Sequence, residues 1–167
     1  MFKGAEMSMV KFEKIKRPEK IGLPFMLDFY PLQDEKYTRT SQFFKNLKEG
    51  HLTTTKCKKC GELLWPPRVI CSNCHSEKLE WFDLGTEGEL YAFTEIRLGA
   101  PIGFVEDVPF CIGIVRIGGL LISARIDGAK YEDLKIGDKV NLKIVELPDS
   151  RVFYRFSRNK EQKLPIP

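Results

Sequence analysis

The chain has 167 residues, of which 43% are hydrophobic and 30% charged, so it reads as one ordinary globular domain or two small ones. No run approaches the roughly 18 apolar residues that a membrane span needs, and residues 1–10 lack the apolar core of a secretion signal. The expected compartment is therefore a reducing cytoplasm, and the net charge of +4 is compatible with an anionic ligand without demanding one.

Residues 1–36 show no clear period. Lys11, Lys14, Lys16, Arg17 and Lys20 form a basic stretch broken by Pro18 and Pro24. Phe25, Met26, Leu27, Phe29 and Tyr30 follow. This segment reads as an irregular arm that packs on the domain or docks a partner. Tyr37 to Glu49 reads as a helix, with Tyr37, Thr40, Phe43, Phe44 and Leu47 marking one face and Gly50 as the stop.

Residues 51–84 read as a small metal ribbon. Cys57-Lys-Lys-Cys60-Gly61 and Cys71-Ser-Asn-Cys74 are two pairs with two-residue gaps, ten residues apart. A gap of two lets one tight turn aim both sulfurs at a single ion. Two such turns supply four soft ligands, the donor set of a closed tetrahedral zinc site. Paired redox thiols would need a βαβ setting, which this pattern lacks. Leu52-Thr-Thr-Thr55 suits a strand entering the first turn. Leu63, Leu64 and Trp65 return from it, Pro66-Pro67 stiffens the link, and Leu79, Trp81 and Phe82 leave the second turn as another strand. A unit this small needs the metal for stability.

From Gly85 the period changes to two. Leu90, Ala92, Thr94, Ile96 and Leu98 alternate with Tyr91, Phe93, Glu95 and Arg97. Phe110–Ile117 and Leu120–Ile126 form a hairpin across Gly118-Gly119. Tyr131–Leu134 reads as a helical turn, Lys139–Leu147 as a fourth strand, and Val152–Phe156 as a fifth after Pro148-Asp149-Ser150. Five strands with one short helical connection predict an OB-fold barrel over residues 85–167, ending in a frayed tail. The fold class is mainly β: an arm and helix over 1–50, a rubredoxin-like zinc ribbon over 51–84, then the five-stranded barrel.

Candidate ligand contacts follow from this layout. The loop Gly99–Pro109 carries Ile102, Phe104 and Val105, which either bind a ligand or form a satellite core. On the last strand, period two puts Arg151, Phe153 and Arg155 on one face, either a solvated basic face or a phosphate-binding surface. Arg97, Arg116 and Arg125 could join it. Cys111 reads as a buried small hydrophobe, and His51 and His75 as surface residues. Asp127, Asp133, Asp138 and Asp149 read as turn residues. No Walker loop, dinucleotide fingerprint or nucleophile elbow is present, so no catalytic residue is assigned.

The joint order of motifs resembles a known family. Lys48-Glu49-Gly50 ends a helix; then come Cys57-x2-Cys60-Gly61, Pro66-Pro67-Arg68, Cys71-x2-Cys74, Leu79-Glu80-Trp81 and Gly88-Glu89-Leu90-Tyr91-Ala92-Phe93-Thr94. Residues 37–157 are similar to the prokaryotic zinc-ribbon/OB-fold family called domain of unknown function thirty-five, which is associated with acyl-CoA. The resemblance implies a non-catalytic accessory or scaffold subunit of a thiolase-superfamily enzyme, such as a hydroxymethylglutaryl-CoA synthase or an aldolase. It also implies an acyl-CoA or CoA ligand, to which Tyr91, Phe93, Arg97, the apolar loop, Arg151 and Arg155 could contribute. The alternatives are a module binding single-stranded nucleic acid, and a rubredoxin-type iron protein.

Overall fold

The structure is a computed structural model that describes residues 11–14, 32–100, 104–147 and 150–158. Its elements in chain order are β1 (Lys11–Lys14), α1 (Ser41–Lys48), β2 (Thr53–Cys57), β3 (Leu63–Leu64), β4 (Leu79–Asp83), β5 (Glu87–Ile96), β6 (Phe110–Ile117), β7 (Leu120–Asp127), β8 (Lys139–Glu146) and β9 (Val152–Arg158). Single 3-10 turns lie at Val105–Asp107 and Tyr131–Asp133. No helix among the described residues is long and apolar enough to cross a membrane.

β3, β2 and β4 form a three-stranded antiparallel ribbon. β5, β6, β7, β9 and β8 form a second sheet, and β8 pairs with both β9 and β5, which closes a five-stranded barrel. The parallel contact of β7 with β9 completes the OB-fold order. Leu90, Val115, Ile122, Val140, Leu142, Ile144 and Phe156 are wholly buried in its core. Each contributes roughly 1.5–3 kcal/mol of apolar burial. Gly113 leaves room for that core: a Cβ there would lie 2.6 Å from Leu90 Cδ1 and 2.9 Å from Ile126 Cγ1.

The first expected strand carries an irregularity. The register between β5 and β6 shifts between Leu90 and Ala92, which is a β-bulge. Leu90 pairs with buried Val115, yet Ala92 pairs with exposed Ile114, and Phe93 pairs with Gly113. Strict alternation is therefore broken. Phe93 packs against the core and lies beside Tyr131, with ring centroids 5.4 Å apart, whereas Tyr91 is 45% exposed.

The helix is shorter than the pattern predicts. Tyr37 and Thr38 donate their N–H groups to Asp34 O, forming a separate turn, and the hydroxyl of Thr38 accepts the N–H of Thr40. These local bonds compete with helical ones, so α1 starts at Ser41. Tyr37 is 66% exposed and lies off the buried face, which is Phe43, Asn46 and Leu47.

Part of the arm is regular. β1 runs parallel to β8, with Lys11 opposite Lys143 and Lys14 opposite Glu146, so it pairs where β5 leaves the β8 edge after Asn141. Residues 1–10 and 15–31 of the arm, with Phe25–Tyr30, lie outside the described residues. So do Ile102, the Pro148-Asp149 part of the last turn, and the tail after Arg158.

Candidate metal centre and barrel grooves

The two Cys pairs sit in matching turns. Gly61 N–H donates to Cys57 O at 2.9 Å, and His75 N–H donates to Cys71 O at 3.0 Å. Cys57 N–H donates to Glu62 O, and Cys71 N–H to Ser76 O, at 2.9 and 3.0 Å. Both turns need a left-handed residue after the second Cys. Gly61 supplies it at φ 78°, and His75 at φ 55°.

The turns bring four sulfurs together. Cys57 and Cys74 Sγ are 3.5 Å apart, Cys60 and Cys71 Sγ are 3.6 Å apart, and all four lie within 4.8 Å of one another. Sulfurs held at about 2.3 Å around one tetrahedral ion would be about 3.8 Å apart, so the donor set fits a single Zn²⁺. The site's electrostatics agree. The backbone N–H of Cys60, then that of Lys59 and the neighbouring thiols, outweigh burial and hold Cys57 down at about 6. The N–H of Ser76 also lowers Cys74, but burial and the thiols of Cys57, Cys60 and Cys71 push it up to about 12. Four thiolates this close resist ionising together, and a divalent cation removes that conflict. His75 is exposed. His51 is not a free surface residue as expected: its Nδ1 lies 2.7 Å from Asp83 Oδ2, and its side chain is 24% exposed.

Trp65 joins the ribbon to the barrel. Its ring meets Phe43 of α1 edge-on at 6.0 Å and Tyr154 of β9 at 5.7 Å. Leu52 and Leu84 pack in the same cluster as Trp65, and the Leu84 N–H donates to Leu52 O at 2.9 Å. A Cβ on Gly118 would lie 2.6 Å from Leu84 Cδ2, so the hairpin abuts the junction.

The barrel carries two neighbouring depressions. One, of about 250 Å³, is lined by Phe104, Phe110, Ile112, Phe153, Tyr154 and Arg155, among others. The second, of about 630 Å³, is charged and takes in Glu95, Arg97, Lys130 and Glu132. Arg125 and Phe110 line both, with the guanidinium 4.7 Å from the ring centroid. Arg125 Nη1 lies 2.5 Å from Asp107 Oδ2, and its Nε lies 3.2 Å from Asp127 Oδ1.

The expected solvated basic face of the last strand is absent. Arg151 and Arg155 are 8% and 7% exposed. Arg155 Nη1 lies 3.3 Å from Asp127 Oδ2, and its guanidinium lies over Phe153 at 5.0 Å. Arg158 is paired with Asp138 at 3.0 Å. Asp127 and Asp138 are ion-pair partners rather than simple turn residues. Of the candidate ligand contacts, Phe104 and Arg155 meet in one groove and Arg97 lines the adjoining cleft. Tyr91 stands apart beneath Arg116, at 5.0 Å, and Phe93 belongs to the core. Arg151 lines a different cleft, beside α1. Sequence reasoning missed Phe110, Tyr154 and the partner role of Asp127, because none of them lies near its partners in sequence.

Two family models match the chain. Residues 44–80 match the rubredoxin-like zinc ribbon domain of ChsH2, and residues 81–145 match its C-terminal OB-fold domain. A DUF35 domain-containing scaffold protein of Methanocaldococcus jannaschii is 31% identical over 114 residues, covering 66% of this chain and 78% of that one. This chain belongs to the DUF35 family. Another relative, the benzoylsuccinyl-CoA thiolase subunit BbsA of Thauera aromatica, is 29% identical over 65% of this chain and 76% of its own. The fold is shared with a chain of the Ltp2-ChsH2(DUF35) aldolase, at a TM-score of 0.63 and 20% identity over 72% of this chain and 95% of that one. This DUF35 chain is thus a zinc-ribbon/OB-fold protein, and Cys111 is buried within its barrel as expected.

Proposed function

We propose that this chain is a non-catalytic accessory subunit that scaffolds a thiolase-superfamily enzyme in the cytoplasm. In this reading Cys57, Cys60, Cys71 and Cys74 hold a structural Zn²⁺. The zinc fixes the ribbon of residues 51–84 on the barrel of residues 85–167. An acyl-CoA lies on the barrel flank that holds Phe104, Arg155 and Arg97. The observation that carries the reading is the kinship with named scaffold proteins and with a thiolase subunit. The adjoining apolar and charged depressions support the ligand, because an acyl thioester needs both kinds of surface.

Nucleic acid is the weaker reading. It rested on a solvated basic-aromatic strand, and none of Arg151, Arg155 and Arg158 is exposed. The deciding experiment is affinity purification of the tagged chain from its own cells with mass spectrometry of the eluate. A stoichiometric thiolase or synthase is the expected result. Nuclease-resistant association with ribosomal or transcription proteins, and no such enzyme, would overturn the reading.

A further inference from the structure

The smaller groove has a definite chemistry. Phe110 and Ile112 come from β6, Tyr154 and Phe153 from β9, and Phe104 from the loop before β6. Two arginines frame these walls, and each is already stacked on a ring: Arg125 on Phe110 and Arg155 on Phe153. Flat rings and flat guanidinium groups favour a flat guest, which can stack on several of them at once.

Size and polarity narrow the guest further. At about 250 Å³ the groove is below the roughly 300–1,000 Å³ of a site that swallows a whole drug-sized ligand, so it takes one part of a longer molecule. An adenine ring would bring several polar ring positions. The Tyr154 hydroxyl donates to Ser123 O, and both arginines are committed to Asp107 and Asp127, so the walls suit a ring with few polar atoms. Beyond Arg125 the groove opens into the charged cleft of about 630 Å³, where a polar arm can continue.

We infer that this groove selects an acyl-CoA whose acyl group is aromatic, with the ring held among Phe104, Phe110 and Tyr154 and the thioester arm leaving past Arg125. The inference rests on the acyl-CoA reading above and adds the class of acyl group.

The test is calorimetry on the full chain, or on its complex with a co-purified enzyme, using CoA, acetyl-CoA, phenylacetyl-CoA, phenylacetyl-pantetheine and adenosine 3′,5′-bisphosphate. Phenylacetyl-CoA should bind about tenfold or more tightly than acetyl-CoA, as expected when a ring leaves water for an apolar wall. Two variants remove that preference without opening the core. Ser123→Trp fills the groove from an exposed position, and Phe104→Ala removes a loop wall. Ser123→Trp should leave CoA affinity within about twofold. Equal affinity for acetyl-CoA and phenylacetyl-CoA would overturn the inference and leave the acyl-CoA reading standing. Binding of phenylacetyl-pantetheine, lost in Ser123→Trp, without any binding of CoA would keep the aromatic site and overturn the CoA reading. Binding of adenosine 3′,5′-bisphosphate that Ser123→Trp abolishes would assign the groove to adenine and overturn the inference. No binding of any thioester would overturn both.

Discussion

The side-chain amide of Gln33 makes both hydrogen bonds of a β-bridge to the backbone of Val152. Its Oε1 accepts the Val152 N–H at 2.9 Å, and its Nε2 donates to Val152 O. A side chain 119 residues away thus serves the first residue of β9 as a strand neighbour would. Val152 is 3% exposed, so its amide has little access to water. Gln33→Ala should cost about 1–3 kcal/mol by orphaning two backbone groups. Gln33→Glu keeps the acceptor, loses the donor and should also destabilise. Urea midpoints for both variants check this, and an unchanged midpoint in Gln33→Ala would show that the bridge contributes nothing.

Removal of the metal should act on the ribbon first. The core of the barrel contains none of the four clustered sulfurs, whereas Cys57, Cys71 and Leu64 form a separate cluster. Strong chelators, or Cys71→Ser, should broaden the amide NMR signals of residues 53–83 and lower zinc content, while the signals of β5–β9 persist. Retention of one equivalent of zinc by Cys71→Ser would sink the four-sulfur assignment. A cobalt-substituted sample should show the strong visible bands of tetrahedral thiolate ligation, which an oxygen-rich site would not.

The matched turns predict substitutions of opposite sign. Gly61 at φ 78° has open space where a Cβ would go, so Gly61→Ala meets only backbone strain and should cost about 1–2 kcal/mol. His75 already bears that strain at φ 55°. His75→Gly should therefore gain up to about 1 kcal/mol, less what the flexible glycine adds to the unfolded chain. Thermal unfolding of the two zinc-loaded variants reads both, and a shift of the same sign would contradict the parallel.

Asp127 holds a network at one end of the barrel. Lys143 Nζ lies 2.8 Å from its Oδ2, Arg155 Nη1 lies 3.3 Å from the same atom, and Arg125 Nε lies 3.2 Å from Oδ1. Burial would raise the carboxyl, but the Lys143 hydrogen bond and the charges of Arg155, Lys143 and Arg125 outweigh it, so Asp127 titrates below its usual 3.8. A depressed carboxylate stabilises the fold fully above its unfolded value and loses that contribution as pH falls through the folded one. Acid unfolding should therefore steepen below about pH 4 and flatten in Asp127→Asn. Asp127→Asn should cost up to about 3–5 kcal/mol at neutral pH, because buried Arg155 loses its carboxylate, although Arg125 keeps Asp107 and Lys143 keeps Glu13. Adding Lys143→Met should recover part of the loss, a coupling that a double-mutant cycle measures.

Trp65 is the test of how ribbon and barrel hold together. Its ring lies between Phe43 and Tyr154, which come from different elements. Trp65→Ala should cost about 3–5 kcal/mol, whereas Trp65→Phe should cost less. The stability loss should come with faster hydrogen exchange at the Leu84 amide, whose hydrogen bond to Leu52 O closes the end of the ribbon that packs on the barrel core.

The parts legible in the sequence are those that local chemistry decides. Two-residue gaps between cysteines set which sulfurs converge, and the hairpin at Gly118-Gly119 follows from two residues that accept positive φ at 55° and 87°. The Phe110–Ile117 strand matches its expected bounds for the same reason: apolar residues cluster there, interrupted by the single Gly113. The tertiary structure decided what depends on partners far along the chain. The bulge between Leu90 and Ala92 comes from pairing with β6 and moves Phe93 to the core side, away from Tyr91. Arg155 reads as a solvated cation until β7 brings Asp127 beside it, and the matched charge then offsets part of the cost of burial. The arm around Lys11–Lys14 shows no period of its own, since a four-residue strand takes its conformation from the β8 edge it pairs with. The cysteine pairs carry their geometry in their spacing, whereas the aromatic groove exists only once β6, β7 and β9 are neighbours.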